Sequence, residues 1–140
     1  MKIVIGLGNP GDRYRDTRHN MGFRVVDRLI ESMKALPVAA DLLAALARAE
    51  ILRPDESPEP LWLMKPMTFM NRSGRAVRDF RALPEFAERD AAEYLVVLDD
   101  IYLPFGRLRV RPEGSGGGHN GLDSVLEAFG STGVPRLRIG

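Results

Sequence analysis

Lys2–Gly11 reads KIVIGLGNPG, and the fold turns on how this stretch is read. Lys2–Leu7 (KIVIGL) is a short apolar, β-branched run of the kind buried in the middle of a sheet. Asn9-Pro10-Gly11, which closes it, is turn chemistry. A polar segment, Asp12–Asn20 (DRYRDTRHN), separates it from Met21, Val25, Leu29, Met33 and Leu36. That spacing predicts a helix from Met21 to Leu36, stopped by Pro37. A buried strand, a turn and a helix are the opening of an α/β domain.

The rest of the chain continues the alternation. Asp41–Arg48 is rich in Ala and Leu and reads as a second helical piece. Ala49–Leu52 and Leu61–Lys65 are β-like runs on either side of the proline-rich turn Arg53–Pro60, and are expected to pair as a hairpin. Phe69–Leu83 reads as a helix with Ala76, Val77, Phe80 and Leu83 on one face. Pro84–Glu93 reads as an acidic surface segment, and Tyr94–Leu98 (YLVVL) is the most strand-like run. Arg107–Arg111 (RLRVR) alternates as a half-exposed strand does. Glu113–Gly118 is a glycine-rich loop before a helix carrying Leu122, Val125, Leu126 and Phe129. Pro135–Gly140 reads as a last strand. The expectation is a single α/β domain over residues 1–140, with a mixed, mostly parallel twisted sheet flanked by helices.

Composition narrows the function. The 140 residues contain no cysteine, which removes disulfides, iron–sulfur clusters and thiol nucleophiles, and only two histidines. No apolar run approaches the ~20 residues of a membrane span, and the N-terminus does not read as a signal peptide; a cytoplasmic protein is expected. The net charge of +1 hides a gradient, with +4 over residues 61–83 and −5 over 84–100, so a local basic face remains available to a polyanion.

Several segments offer chemistry. Gly6–Gly11 formally matches the dinucleotide pattern G-x-G-x-x-G. It equally suits a tight strand-end turn, or a turn presenting the Asn9 amide at the carboxyl end of a strand, where α/β sheets bind ligands. Asn20 suits a helix cap, whereas His19 is the default general base near neutral pH. Thr68 reads as a cap, and Phe69 and Met70 as packing residues, while Asn71 is a poor interior helix residue unless it bonds something. Asp99-Asp100 ends the strongest strand, and an aspartate beside His19 would fix its tautomer. Arg107, Arg109 and Arg111 share one strand face. They suit either a charged edge or a phosphate-binding stripe. Glycines 114, 116, 117, 118 and 121 bracket His119-Asn120 before a helix, as an anion cradle of backbone amides would, or as a flexible loop.

As an ordered set these segments resemble the bacterial-type peptidyl-tRNA hydrolase family. The resemblance is carried by GLGNPG (6–11), Tyr14, TRHN (17–20), KPMTFMNRSG (65–74), Asp99-Asp100 with Leu103-Pro104, GGGHNGL (116–122) and RLRIG (136–140). It implies hydrolysis of the ester between a peptide and the 3′ ribose of tRNA, without metal, cofactor or membrane, by a protein that is monomeric at full length. It assigns His19 as the catalytic histidine that activates water, and Asp99 as the acid that orients it. Asn9, Asn71 and Asn120 become the site asparagines that hold peptide backbone, ester and water. Tyr14 is implied to contact the tRNA 3′ end, Met70 to line the peptide groove, and Arg138 to lie near the glycine loop. Arg109 and Arg111 fall where the family clamps the tRNA 5′ phosphate.

The chain departs from that pattern at Tyr102, where the family usually has an aspartate, and at Ser115. Family members also continue past the RLRIG strand with a strand and a helix, so 1–140 reads as the family's domain truncated at its C-terminal end. A non-catalytic RNA-binding relative, a truncated and inactive form, and a nucleotide-binding domain using Gly6–Gly11 are the alternatives. Retention of His19, Asp99 and the three asparagines favours hydrolysis.

Overall fold

A computed structural model describes residues 1–140. The first strand, β1 (Lys2–Gly6), is followed by α1 (Met21–Met33), β2 (Leu36–Val38), β3 (Ala44–Leu52), β4 (Pro58–Pro66) and α2 (Ser73–Arg81). Then come β5 (Tyr94–Asp99), β6 (Leu108–Arg111), α3 (Asn120–Phe129) and β7 (Arg136–Ile139). All seven strands form one sheet in the order β2-β3-β4-β1-β5-β7-β6. The four central strands β4, β1, β5 and β7 are parallel, and β2, β3 and β6 add antiparallel edges. Central strands are covered on both faces, so β1 and β5 are near-continuous apolar runs. Ile3, Ile5, Met64, Val96 and Leu98 face α2 and α3, meeting Phe80, Leu122 and Val125. The opposite face meets α1 through Val26, Leu61 and Leu63.

The glycines of Gly6–Gly11 are explained by packing. A Cβ on Gly6 would lie 2.2 Å from the Gly22 carbonyl oxygen, and one on Gly8 would lie 2.6 Å from the Phe23 ring. These glycines let α1 sit directly on the end of β1, and the resemblance to a dinucleotide fingerprint goes no further. The same contact rotates α1 away from the expected stripe. Gly22, Phe23 and Val26 are buried, Met21, Val25 and Leu29 are only half-buried, and Leu36 is exposed and lies outside the helix. The helix ends before Pro37 is reached. Lys34 turns left-handed at φ 51° and the Ala35 N–H bonds back to the Ile30 carbonyl, a cap that satisfies the last carbonyls. Pro37 lies in the edge strand β2, where its missing N–H costs little.

Other expectations are corrected in the same way. Asp41–Arg48 is not helical: Ala44–Leu52 pairs with Pro58–Pro66 over nine positions, extending the expected hairpin. Burial of Leu46 and Ala47 against the sheet outweighs the helix preference of alanine. Thr68 does not cap; its hydroxyl is buried without a partner, and a short 3₁₀ turn, Met70–Arg72, precedes α2. Pro84–Glu93 is not wholly surface, because Phe86 stacks on Phe80 at 4.0 Å inside the core. All four residues of β6 are exposed, since it is the outermost strand and neither face is covered.

Two close approaches place the functional loops. A Cβ on Gly22 would lie 2.3–2.5 Å from backbone atoms of Leu7 and Val97, and one on Gly74 would lie 2.1 Å from the Ser124 carbonyl oxygen. The Gly74 N–H also donates to Ser124 Oγ at 2.9 Å, tying α2 to α3. Backbone cannot yield as a flexible side chain does, so Gly22→Ala is expected to destabilise the fold by about 3 kcal/mol or more, the upper end of overpacking costs. Urea unfolding measures this, and an unchanged midpoint would contradict the tight docking of α1.

Candidate active site

Asp99 is the last residue of β5 and is 3% exposed. A buried carboxylate needs partners, and it has two. His19 lies in the 3₁₀ turn Arg18–Asn20, which leads into α1, and its Nδ1 is 2.7 Å from Asp99 Oδ1. His119, at the N-cap of α3, places Nε2 2.9 Å from the same oxygen. Burial pushes the Asp99 carboxyl up, but the hydrogen bonds from His119 and then His19, with their charge interaction, outweigh it and hold the carboxyl below its ordinary value. Asp99 is therefore ionised and can only accept. A lowered folded value means the stabilisation is present above the ordinary carboxylate range and is lost as pH falls through the folded value.

The tautomers follow from the bonds. The Leu122 N–H donates to His119 Nδ1 at 3.2 Å, so that nitrogen carries a lone pair, and the His119 proton sits on Nε2, donated to Asp99. His19 donates its Nδ1–H to Asp99, leaving Nε2 with a free lone pair. His19 keeps about half of its side chain exposed, while His119 is buried. Hence His19 alone offers a base to the cleft. The donor atoms of His19, Asp99 and His119 lie within 4.8 Å of one another, as metal ligands would. Binding a metal through His119 Nε2 would move its proton to Nδ1, against the Leu122 N–H. With these tautomers His19 Nδ1 and His119 Nε2 both carry protons, so neither offers a lone pair toward Asp99.

The asparagines divide. Asn20, expected as a helix cap, makes no cap bond. It is buried and brackets Asn9 instead, accepting from the Asn9 N–H at 2.8 Å and donating Nδ2–H to the Asn9 carbonyl at 2.9 Å. The Met70 N–H donates to Asn9 Oδ1 at 2.7 Å. The Asn9 Oδ1 is thereby engaged, while its NH₂ makes no bond within the protein. Met70 is buried, and a Cβ on Gly121 would lie 2.3 Å from its sulfur and 3.1 Å from His119 Cε1. Gly121 thus separates Met70 from the His119 ring, while Asn9 lines a neighbouring depression with Asn20 and Arg24 rather than the cleft of His19, Asp99 and His119. Asn120 lines the same cleft as His19 and is exposed. Asn71 is exposed at the 3₁₀ turn. Tyr14 is held apart, half-buried in the turn Asp12–Tyr14 with the Arg13 guanidinium 5.4 Å from its ring centre.

The arginines serve two purposes. Arg136 is buried and donates to the carbonyls of Val134, Ser115 and Thr132; burial and the neighbouring Arg138 lower its pKa. Arg138 donates to the Gly116 carbonyl at 3.0 Å and sits 3.8 Å from Asp100. These two hold the glycine loop in place. Arg109 and Arg111, exposed on β6, have no carboxylate partner and line a basin beside that loop.

The family model described as peptidyl-tRNA hydrolase matches residues 3–140. The chain belongs to the peptidyl-tRNA hydrolase family. It is 46% identical over 140 residues to a peptidyl-tRNA hydrolase of Synechococcus and 41% identical to that of Aquifex aeolicus, covering 59% and 69% of their lengths. The crystal structure of peptidyl-tRNA hydrolase from Acinetobacter baumannii superposes with a TM-score of 0.83 at 32% identity, over all of this chain and 68% of that one. The peptidyl-tRNA hydrolase sheet and its helices are therefore the expected α/β architecture.

Two site residues escaped the sequence reading. His119 read as part of a loop, although Gly116–Gly118 followed by histidine and a helix is a signal for an imidazole cap. Asn20 read as a cap because its position is one. ¹⁵N NMR of the imidazoles is expected to show His119 as the neutral Nε2–H tautomer, and a protonated Nδ1 in the folded protein at neutral pH would contradict the arrangement.

Proposed function

We propose that this chain hydrolyses the ester linking a peptide, or an N-blocked aminoacyl group, to the 3′ ribose of tRNA. The observation that carries the reading is the 2.7 Å bond between His19 Nδ1 and Asp99, which leaves Nε2 free in the cleft. In the proposed reaction His19 Nε2 takes a proton from water as the oxygen attacks the ester carbonyl. Asp99 balances the imidazolium that forms. The Asn9 NH₂ is suited to hydrogen-bond the carbonyl oxygen as it becomes an oxyanion. The imidazolium then returns its proton to the 3′ oxygen as the C–O bond breaks, giving the free peptide acid and tRNA. Asn71, Asn120 and Met70 are assigned to the peptide and ester, Tyr14 to the tRNA 3′ end, Arg138 to the substrate side of the glycine loop, and Arg109 and Arg111 to phosphate. The reading places the protein in the cytoplasm; no helix is long and apolar enough to cross a membrane.

Asparagine amides both donate and accept, which suits gripping a peptide backbone whatever its side chains. An RNA-binding protein without catalysis has no use for a buried carboxylate holding the tautomers of two histidines, so hydrolysis is the better reading. Incubated with N-blocked and with free aminoacyl-tRNA, the protein is expected to cleave the blocked substrate. Binding without cleavage would return the assignment to an RNA-binding module. His19→Ala is expected to lower kcat by about 10²–10⁴-fold, the contribution of a general base, with tRNA affinity kept.

Phosphate contacts carry their own signature. Removal of one arginine is expected to weaken tRNA binding across sequences and to reduce the slope of log K against log salt by about 1. Filter binding of Arg109→Ala and Arg111→Ala over a salt series measures this, and an unchanged slope in both would remove them from the interface.

A further inference from the structure

The loop between β5 and β6 turns an aromatic ring outward beside the catalytic cleft. Tyr102 is 82% exposed, so its ring is not there for the core. Its backbone is nevertheless fixed. The Tyr102 N–H donates to Asp100 Oδ1 at 2.8 Å, and the other oxygen of Asp100 lies 3.8 Å from Arg138 Nη1, with both side chains largely buried. Tyr102 borders two depressions at once. One is the cleft of His19, Asp99 and His119; the other is the basin of Arg109 and Arg111. Asp100, Gly117 and Arg138 border both as well, but Asp100 and Arg138 face each other, and Gly117 has no side chain. Tyr102 is thus the one bordering side chain with a free surface.

We infer that Tyr102 is a stacking platform for an unpaired base near the 3′ end of the RNA substrate, and so a positioning residue between the ester site and the phosphate site. The inference rests on the peptidyl-tRNA reading above. A chain with its ester at His19 and a phosphate on Arg109 or Arg111 crosses the ridge that carries Tyr102. Every nucleobase has a π face, so a ring held there on an anchored backbone engages the strand without reading its sequence. Glu113 also lines the basin, and its carboxylate repels phosphate, whereas Arg109 and Arg111 attract it.

Steady-state hydrolysis of N-blocked aminoacyl-tRNA by Tyr102→Ala, Tyr102→Phe and Tyr102→Asp tests this, together with binding of intact tRNA and of tRNA trimmed of its unpaired 3′ nucleotides. Loss of one stacked base corresponds to about a 5- to 150-fold change. Tyr102→Ala and Tyr102→Asp are expected to raise KM by a factor in that range without a matching loss of kcat, and Tyr102→Phe to restore KM. Intact tRNA should lose affinity for Tyr102→Ala by the same factor, while trimmed tRNA should not. An unchanged KM in Tyr102→Ala, a Tyr102→Phe as impaired as Tyr102→Ala, or an equal loss with trimmed tRNA each overturns the stacking role. If the unsubstituted protein cleaves nothing, the functional reading fails, and the comparison of intact with trimmed tRNA still decides the stacking role by binding alone.

Discussion

Asp99 Oδ1 accepts two imidazole N–H groups at the end of a central strand, and the arrangement of the site follows from that shared oxygen. A lone buried carboxylate would be driven to protonate; two donors keep it ionised. Each donor is fixed by a different part of the fold. His19 enters from the turn ahead of α1, which reaches β1 only because Gly6, Gly8 and Gly22 remove every intervening side chain. His119 enters from the head of α3, which is pinned to α2 at Gly74 and Ser124. The backbone contacts on the two faces of the sheet thus converge on one oxygen atom.

The two histidines have unequal chemistry although they share an acceptor. His119 is closed on both nitrogens, one by Asp99 and one by the Leu122 N–H. His19 is closed on one. A donor–acceptor chain from the helix end through His119 to the carboxylate leaves a single lone pair for chemistry, and this division needs no difference in residue type. Asn9 is divided in the same way, its Oδ1 accepting from the Met70 N–H and its NH₂ left unbonded.

Much of this was legible in the residues. The runs KIVIGL and YLVVL announced buried central strands because a strand covered on both faces has no polar alternation. His19, Asp99 and Asn9 stood out because they end strands or precede a helix at the sheet's carboxyl edge, and the structure brings His19 and Asp99 into contact. What could not be read was what depends on distant partners. Ala44–Leu52 has a helical composition, and its strand state comes from nine positions of pairing with β4. The face of α1 is chosen by Gly22, which carries no hydrophobic signal. His119 and Asn20 looked like a loop residue and a cap because their true partners, Asp99 and Asn9, lie 20 and 11 residues away.

The bond from the Leu122 amide to His119 also gives the molecule an internal gauge. In most helices the first-turn amides report only fraying at that end. Here one such amide is held by a side chain that in turn holds Asp99, so its hydrogen exchange is governed by how often the His–Asp–His unit opens. The exchange protection of a single backbone proton therefore reports the free energy of opening the site, without substrate and without any substitution.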